Sequence, residues 1–320
     1  MKKKFLISID TEGDALWTWR PENPTEITSE NAKYLPRFQS LCDEYGFKPT
    51  YLTNYEMAND DFFVSFASKA AQDGRAEIGM HLHAWNSPPL YDLPLRTDTD
   101  KPGAPYLIEY PDDITEEKIA VMTSLLTERF GTAPVSHRAG RWAMNEKYFE
   151  LLSKYGYVCD CSVTPGKDWS AHPGMSPESK GSDYLNYPKT PYFTKSGILE
   201  IPVTVREDRR VRHSNGEGIK KTVRNTLRAV KGQGKIWLRP DGHNLDDLLY
   251  LLKITADSHS DDYIMFMLHS SELMPGVNPR FKTQEDVDRL YDDLKTLFPA
   301  AQTDFTGMTT GGYAELIKKK

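Results

Sequence analysis

The chain has 320 residues, of which 38% are hydrophobic and 27% are charged, and its formal net charge is −6 at pH 7. This composition is ordinary for a soluble protein, and the absence of an apolar run near the roughly 20 residues of a membrane-spanning helix argues against an integral membrane protein. Three cysteines without the spacing of a disulfide framework favour a reducing compartment, so we expect a cytoplasmic protein.

Short apolar runs alternate with longer helical patterns along the whole chain. Strands are predicted at 4–10, 49–54, 76–83, 134–138, 158–163, 198–204, 235–239 and 262–269, with a weaker pattern at 301–306. Helices are predicted at 29–45, 59–73, 114–130, 144–155, 217–231, 244–258, 283–297 and 309–319. This alternation is typical of a parallel sheet, and seven or eight strands can close a barrel. We expect an α/β barrel forming a single domain over residues 1–320.

Two connections are too long for plain barrel loops. Residues 84–112 contain six prolines, and residues 164–197 are rich in proline, glycine, serine and tyrosine. Loops longer than about 12 to 15 residues are usually functional or disordered. Because both segments follow predicted strands, we expect them to form walls or lids of a substrate cleft.

Residues capable of chemistry stand at or just beyond the carboxyl ends of the predicted strands. They are Asp10, Glu12, His81, His83, Arg138, Asp160, Arg239 and His269. In a β/α barrel the carboxyl ends of all strands open at one mouth, where active sites lie. The pattern therefore predicts an enzyme.

The sequence His81-Leu82-His83 suggests a metal site. On a strand, both imidazoles lie on one face about 7 Å apart, and Glu12 can add a carboxylate. Two histidines and one carboxylate leave coordination positions open for water and substrate, as catalysis requires. The alternative is a pair of structural histidines. One divalent ion is expected, with Zn²⁺ preferred and Co²⁺, Mn²⁺ or Ni²⁺ as alternatives.

Cys159 and Cys161 flank Asp160 and could in principle bind a metal as well. Side chains alternate along a strand, so the two thiols share one face and Asp160 occupies the other. We expect the thiols to pack against the outer helices and Asp160 to face the mouth.

At these residues the chain resembles the polysaccharide deacetylase family (NodB homology, carbohydrate esterase family 4). SIDTEGD, EIGMHLHAW and SHRAGRW stand where the family has its aspartate, histidine and arginine motifs. CDCSVTP and FMLHSSE resemble the fourth and fifth motifs, in the expected order. The resemblance spans nearly the whole chain and implies a single distorted (β/α)7-type barrel.

The resemblance also implies roles for individual residues. Asp10 would be the general base, Glu12, His81 and His83 the metal ligands, and His269 the general acid. Arg138 would hold and tune Asp10. Each role is chemically sensible, because a divalent ion activates water while a carboxylate accepts a proton and a histidine delivers one. The alternative for His269 is a structural histidine bonded to Glu272.

The chain departs from the usual family pattern at two points. The family's histidine pair is spaced H-x-x-x-H, whereas here the second histidine is His83 and position 85 is Trp; the adjacent D-D reads D-T-E. This variant pattern resembles the branch tied to O-antigen and capsule biosynthesis. It implies a sugar of a surface-polysaccharide precursor as the substrate.

A basic segment extends over residues 206–239. It contains eleven Lys or Arg and three acids, a local charge of +8. Within it, 217–231 has the apolar spacing of an amphipathic helix, which could hold a nucleotide- or lipid-pyrophosphate-linked sugar or lie on the inner face of the membrane. The alternative is a solvated barrel helix. Without a recognised binding motif and with a pI of about 5.8, nucleic acid is not an expected partner.

We expect a metal-dependent deacetylase that removes an N-acetyl or similar acyl group from a sugar. Trp142, Arg239 and Asp160 are the predicted substrate contacts, since aromatic rings stack on sugars and the charged groups stand at strand ends. The alternatives are another metal-dependent hydrolase of C–N or ester bonds, and a catalytically silent carbohydrate-binding protein on the same barrel.

Overall fold

A computed structural model describes residues 2–19, 26–99, 103–208, 210 and 234–319. Its strands are β1 (Lys3–Thr11), β2 (Pro49–Thr53), β3 (Glu77–Leu82), β4 (Ser136–Ala139), β5 (Cys159–Asp160), β6 (Tyr192–Phe193), β7 (Leu199–Glu200), β8 (Val205–Asp208), β9 (Gly234–Trp237), β10 (Tyr263–His269) and β11 (Phe305–Met308). The α-helices are α1 (Leu35–Glu44), α2 (Tyr55–Asn59), α3 (Asp61–Gln72), α4 (Asp112–Phe130), α5 (Glu146–Lys154), α6 (Leu245–Asp257), α7 (Gln284–Asp304) and α8 (Thr310–Lys318).

Seven strands form one curled parallel sheet in the order β10-β1-β2-β3-β4-β5-β7. Strand β6 is added antiparallel to β7, and β11 runs parallel to the first half of β1. The predicted fold class, an α/β distorted barrel of the (β/α)7 type, is confirmed. The division of the chain into domains stays a prediction.

The described helices lie where their periodicity predicts, except the short α2, which was not predicted, and polar side chains cap several of them. Asn145 accepts a hydrogen bond from the Tyr148 amide at the start of α5. Thr283 and Asp286 form a capping box at the start of α7, each side chain accepting from the other's amide. The predicted helix 217–231 lies outside the described residues. None of the helices in the described ranges combines the length and apolarity needed to cross a bilayer.

Alternation along β1 divides the core into two clusters. Phe5, Ile7 and Ile9 pack outward among the helices, whereas Leu6 faces the barrel interior with Leu52 and Met265. Buried apolar surface on both faces of the strands is what a parallel sheet covered by helices requires. Asp10 has the parity of Leu6, so its side chain also points into the barrel.

Four predicted strands differ from the structure. Residues 301–304 continue α7, and the last strand starts only at Phe305. Residues 158–163 and 198–204 form ladders of only two residues each, and the Ser162 amide donates to the Asp160 carboxylate instead of extending β5. The predicted strand at 235–239 is not a barrel strand, since β9 pairs antiparallel with β8 in a separate hairpin.

The base of the β8–β9 hairpin bridges the two ends of the parallel sheet. Thr204 precedes β8, and its hydroxyl accepts a hydrogen bond from the Met265 amide in β10 at 2.9 Å. Leu238 follows β9, donates to the Thr204 carbonyl at 3.3 Å and accepts from the Met267 amide at 3.1 Å. In the described residues, these isolated bonds take the place of a β7–β10 ladder.

Replacing Thr204 by Val should destabilise the protein by about 1–3 kcal/mol, because the buried Met265 amide would lose its acceptor without a change in side-chain shape. Thr204→Ser keeps the hydroxyl and serves as the matched control. Urea unfolding of both variants measures the difference. A Thr204→Val protein as stable as the Ser variant would mean that this bond does not help to close the barrel.

Candidate metal centre and active site

The sheet register brings the predicted catalytic residues to one mouth. Asp10 is the partner of His269 on β10, and His81 on β3 is the partner of Arg138 on β4. Glu12 and His83 lie just beyond the ends of β1 and β3 and are also buried. Residues from four strands therefore meet in one buried polar cluster.

Glu12, His81 and His83 form a group that could hold a metal ion, and their ligand atoms lie within 4.8 Å of one another. The Oε2 atom of Glu12 is 3.5 Å from His81 Nε2 and 3.3 Å from His83 Nε2. The two Nε2 atoms are 2.9 Å apart. Ligand atoms that each lie about 2.0–2.2 Å from one ion are separated by roughly 3 to 3.6 Å, so the three residues fit a divalent ion.

The ring of His81 is oriented by the backbone of Arg138. Its Nδ1 is 2.9 Å from the Arg138 carbonyl, which can only accept, so Nδ1 carries a proton. When the ring is neutral, its Nε2 atom therefore presents a lone pair towards Glu12 and His83. Carbonyl bonding of the distal ring nitrogen is the usual support for a metal-ligating histidine.

His83 is supported differently, by packing. Its ring stacks on Trp85 with centroids 4.6 Å apart, and its Nδ1 has no hydrogen-bond partner among the described residues. A Cβ on Gly140 would lie only 2.5 Å from His83 Cδ2, so glycine is needed for this approach. Burial and the neighbouring His81 hold the pKa of His83 well below its ordinary value, which keeps the imidazole neutral and able to ligate.

Asp10 and Arg138 form a buried ion pair beside this cluster. Arg138 Nη1 donates to Asp10 Oδ1 at 2.5 Å, and the other carboxylate oxygen faces His269 Nε2 at 3.6 Å. Burial alone would raise the pKa of Asp10, but the charges of Arg138, His81 and His269 outweigh it and lower the pKa. Asp10 is therefore ionised at neutral pH, with one oxygen directed towards the histidines.

Arg138 is fully buried and its other donors are also bonded. Its Nε donates to the Cys161 carbonyl at 3.0 Å, and Nη2 donates to the Ser8 hydroxyl at 2.7 Å. Ser8 in turn donates to the Phe266 carbonyl at 3.1 Å. A buried guanidinium is tolerated only when its donors are satisfied in this way.

His269 faces Asp10 on one side and Arg239 on the other. Arg239 Nη2 lies 2.9 Å from His269 Nδ1, and because arginine can only donate, the proton of the neutral ring is on Nε2. Glu272 binds Arg239 at 2.7 Å and the His269 backbone amide at 2.9 Å. Burial would raise the pKa of Glu272, but Arg239 and His269 lower it well below its usual range.

The turn after β4 has an unusual backbone. Arg141 and Trp142 both adopt positive φ, at 56° and 64°. This conformation is disfavoured for bulky residues, and such outliers are frequent at functional sites. The turn places the Trp142 ring 5.0 Å from the Arg138 guanidinium and 5.4 Å from the Trp237 ring.

An open cleft of about 1050 Å³ extends from His269. Trp17, Trp142, Trp169 and Trp237 line it, together with Arg239. Trp169 belongs to the segment 164–197, so that segment contributes a wall of the cleft, as predicted from its length. The described part of the segment 84–112 does not line this cleft; its Ala104 carbonyl instead accepts from Arg141.

The structure does not place Asp160 where a substrate contact was predicted. Asp160 is 1% exposed, and its carboxylate bonds His137 Nδ1 at 2.6 Å and both the amide and the hydroxyl of Ser162 at 2.9 Å. Cys159 and Cys161 face the barrel interior, the reverse of the predicted orientation, so Asp160 points outward. On its outer side, His137 Nε2 lies 2.8 Å from the Tyr148 hydroxyl on α5 and is hydrogen-bonded to it.

Some residues around the site were not identified from the sequence. Gly140 permits the approach of His83, and Ser8 anchors Arg138 from a strand interior; neither carries a sequence pattern that distinguishes it from ordinary core residues. Glu272 was considered only as a structural partner of His269. Its spacing, three residues after His269, is that of a capping box and could have indicated the bond to the His269 amide.

The fold is shared with solved structures of low sequence identity. A predicted glycoside hydrolase/deacetylase from Parabacteroides distasonis is 11% identical with a TM-score of 0.58, covering 99% of this chain and 72% of that one. A predicted polysaccharide deacetylase from Mycobacterium smegmatis is 14% identical with a TM-score of 0.54, covering 100% and 92%. The Puue allantoinase is 13% identical with a TM-score of 0.52, covering 98% and 88%. No family model and no curated protein matches the sequence. At these identities the likeness shows the fold.

Replacing Arg138 by Met should lower the free energy of unfolding by about 3–5 kcal/mol, because the Asp10 carboxylate would stay buried without its cation. The double variant Asp10→Asn, Arg138→Met removes both charges and should recover part of this loss. Chemical denaturation of the two variants compares them directly. If the single and double variants were equally stable, the unpaired charge of Asp10 would not be the cause of the stability lost in Arg138→Met.

Proposed function

We propose that the protein is a metal-dependent hydrolase that removes an N-acetyl or similar acyl group from a sugar. The observation that carries this proposal is the convergence of Glu12, His81 and His83 beside an ionised carboxylate and a third histidine, His269. The sequence resemblance to polysaccharide deacetylases and the shared fold with the Mycobacterium smegmatis protein support the same activity.

Glu12, His81 and His83 would hold the ion. Bound there, a divalent cation lowers the pKa of a water molecule and polarises an acyl carbonyl. Zn²⁺ suits two imidazoles and a carboxylate best, with Co²⁺, Mn²⁺ and Ni²⁺ as alternatives. Three protein ligands leave room for water and substrate, as catalytic sites require.

Asp10 would accept the proton of the attacking water through Oδ2. Its other oxygen is held by Arg138, so the carboxylate has a fixed orientation and remains ionised. His269 would deliver a proton to the leaving nitrogen from Nε2 of its imidazolium form, in which Nδ1 is also protonated and donates to the Glu272 carboxylate, 3.5 Å away, in place of accepting from Arg239. The two groups lie 3.6 Å apart, which permits them to act on the same reacting centre.

The cleft supports a carbohydrate as the substrate. Trp142 lines it and offers an amphipathic ring for a sugar face, whereas Arg239 is bonded to His269 and Glu272 and mainly orients the histidine. We propose a sugar of a surface-polysaccharide precursor, from the resemblance to the O-antigen and capsule branch. Nucleic acid is not part of this proposal.

The basic segment 206–239 supports a nucleotide- or lipid-pyrophosphate-linked carrier by its charge alone. The helix predicted at 217–231, and with it the membrane contact proposed for that helix, lies outside the described residues. A cytoplasmic location, in part at the inner face of the membrane, is the setting that this carrier would require.

A second candidate function is the hydrolysis of another C–N bond on the same barrel. The observation that favours it is the fold shared with the Puue allantoinase. The substrate separates the two: the first candidate releases acetate from N-acetylated sugars, and the second hydrolyses cyclic amides such as allantoin.

His83→Ala should abolish stoichiometric binding of Zn²⁺, because the site would keep only one imidazole and one carboxylate. His259, which is exposed on the surface, provides the matched control His259→Ala. Metal content after dialysis against a weak chelator measures the effect. Full metal retention by His83→Ala would exclude His83 as a ligand, and failure of the unsubstituted protein to bind any of the four ions would favour a silent binding protein.

Asp10→Asn should retain the metal and reduce turnover by about 10²-fold or more, the usual effect of removing a general base. Acetate release from a panel of N-acetylated sugars measures activity, with allantoin as the comparison substrate. If Asp10→Asn loses its metal, Asp10 is a ligand and another group must be the base. If allantoin is turned over and the sugars are not, the second candidate function is the correct one.

A further inference from the structure

Two lysines meet at the cleft beyond the tryptophan rings. Lys167 belongs to the wall segment 164–197, and Lys235 belongs to β9 on the hairpin; both line the cleft that contains His269. A Cβ on Gly166 would lie 3.1 Å from Lys235 Nζ, so the Lys235 ammonium lies against the residue preceding Lys167. Burial and the charge of Lys235 together lower the pKa of Lys167.

These two ammonium groups differ from Arg210 and Arg239, which also line the cleft. Arg210 is paired with Asp208 and Asp247, each at 2.8 Å, and Arg239 is paired with Glu272 at 2.7 Å. Within the described residues, neither lysine makes a side-chain hydrogen bond or ion pair, and no acid raises the pKa of Lys167. Two like charges brought together with no carboxylate bonded to either favour the binding of an anion.

The two lysines lie on the far side of Trp237 from the candidate catalytic residues. Lys167 Nζ lies 5.9 Å from the centroid of the Trp237 ring, and the Arg239 guanidinium lies at the same distance from that ring. Arg239 in turn contacts His269. Trp237 therefore lies between the lysine pair and the catalytic residues, and a sugar resting on its ring would extend between them.

We propose that Lys167 and Lys235 bind a phosphoryl group attached to the sugar from which the acyl group is removed. This inference rests on the proposed function, because it assigns the substrate of the same cleft. Two ammonium ions match the charge of a phosphate dianion, and lysine binds phosphate as a point charge without needing the planar fork that arginine offers to a carboxylate.

The test is equilibrium binding by calorimetry to protein stripped of metal with a chelator, so that phosphate cannot bind at a metal ion. N-acetylglucosamine 1-phosphate is compared with neutral N-acetylglucosamine and with N-acetylmuramic acid, which carries a carboxylate. The variants are Lys167→Met, Lys235→Met and their combination. Lys195→Met, an exposed lysine outside the cleft, is the matched control.

We expect the sugar phosphate to bind more tightly than the neutral sugar, and the double variant to weaken its binding by about tenfold or more, as for the loss of a hydrogen bond to a charged group. Binding of the neutral sugar should not change, and added salt should reduce the difference. The control Lys195→Met should behave as the unsubstituted protein.

Equal binding of the sugar phosphate by the double variant and by Lys195→Met would overturn the proposal. Preferential binding of N-acetylmuramic acid would also overturn it, in favour of a carboxylate site. Activity of the metal-loaded enzyme distinguishes this inference from the proposed function: lysine-dependent binding of the sugar phosphate without acetate release would leave the phosphoryl site standing and reject the deacetylase.

Discussion

The buried ion pair of Arg138 and Asp10 is the interaction on which the geometry of the site depends. The guanidinium crosses the barrel interior from β4 to β1 and fixes one oxygen of Asp10, while the Arg138 carbonyl accepts from His81 Nδ1. One residue therefore orients both the carboxylate and a candidate metal ligand. Withdrawing these charges from water is unfavourable, and the bonds to Ser8 and Cys161 offset that desolvation only because the strands hold every acceptor in place.

The sequence was sufficient to predict which side chains would meet. Asp10, His81 and His269 each lie at or close to the carboxyl end of a strand, and parallel pairing brings strand ends to one edge whatever the exact register. It was not sufficient to predict which face of β5 would be inside. Alternation places Cys159 and Cys161 on one face and Asp160 on the other, but in a strand covered on both sides the pattern does not indicate which face is the inner one. The structure buries the thiols in the barrel and directs Asp160 towards α5.

Other features depend on contacts that are remote in sequence. Nothing in the letters Gly140-Arg141-Trp142 indicates two bulky residues at positive φ, since this backbone is held by bonds from Arg141 to the segments at Ala104 and Pro173. Similarly, residues 235–239 have the composition of a barrel strand, yet β9 finds its partner in β8. Strand composition predicts an extended conformation, but the choice of neighbour is set by tertiary structure.

The shared edge of β1 has a consequence for how the chain reaches its folded state. Lys3 to Leu6 pair with β11, and Ile7 to Thr11 pair with β2, so one edge of the first strand is completed by segments from opposite ends of the sequence. During synthesis Ile7 to Thr11 can pair with β2 early. Lys3 to Leu6 remain unpaired on this edge until residues 305–308 have left the ribosome. Until then this strand edge has no partner, and an unpaired edge is a surface on which other chains can add and aggregate.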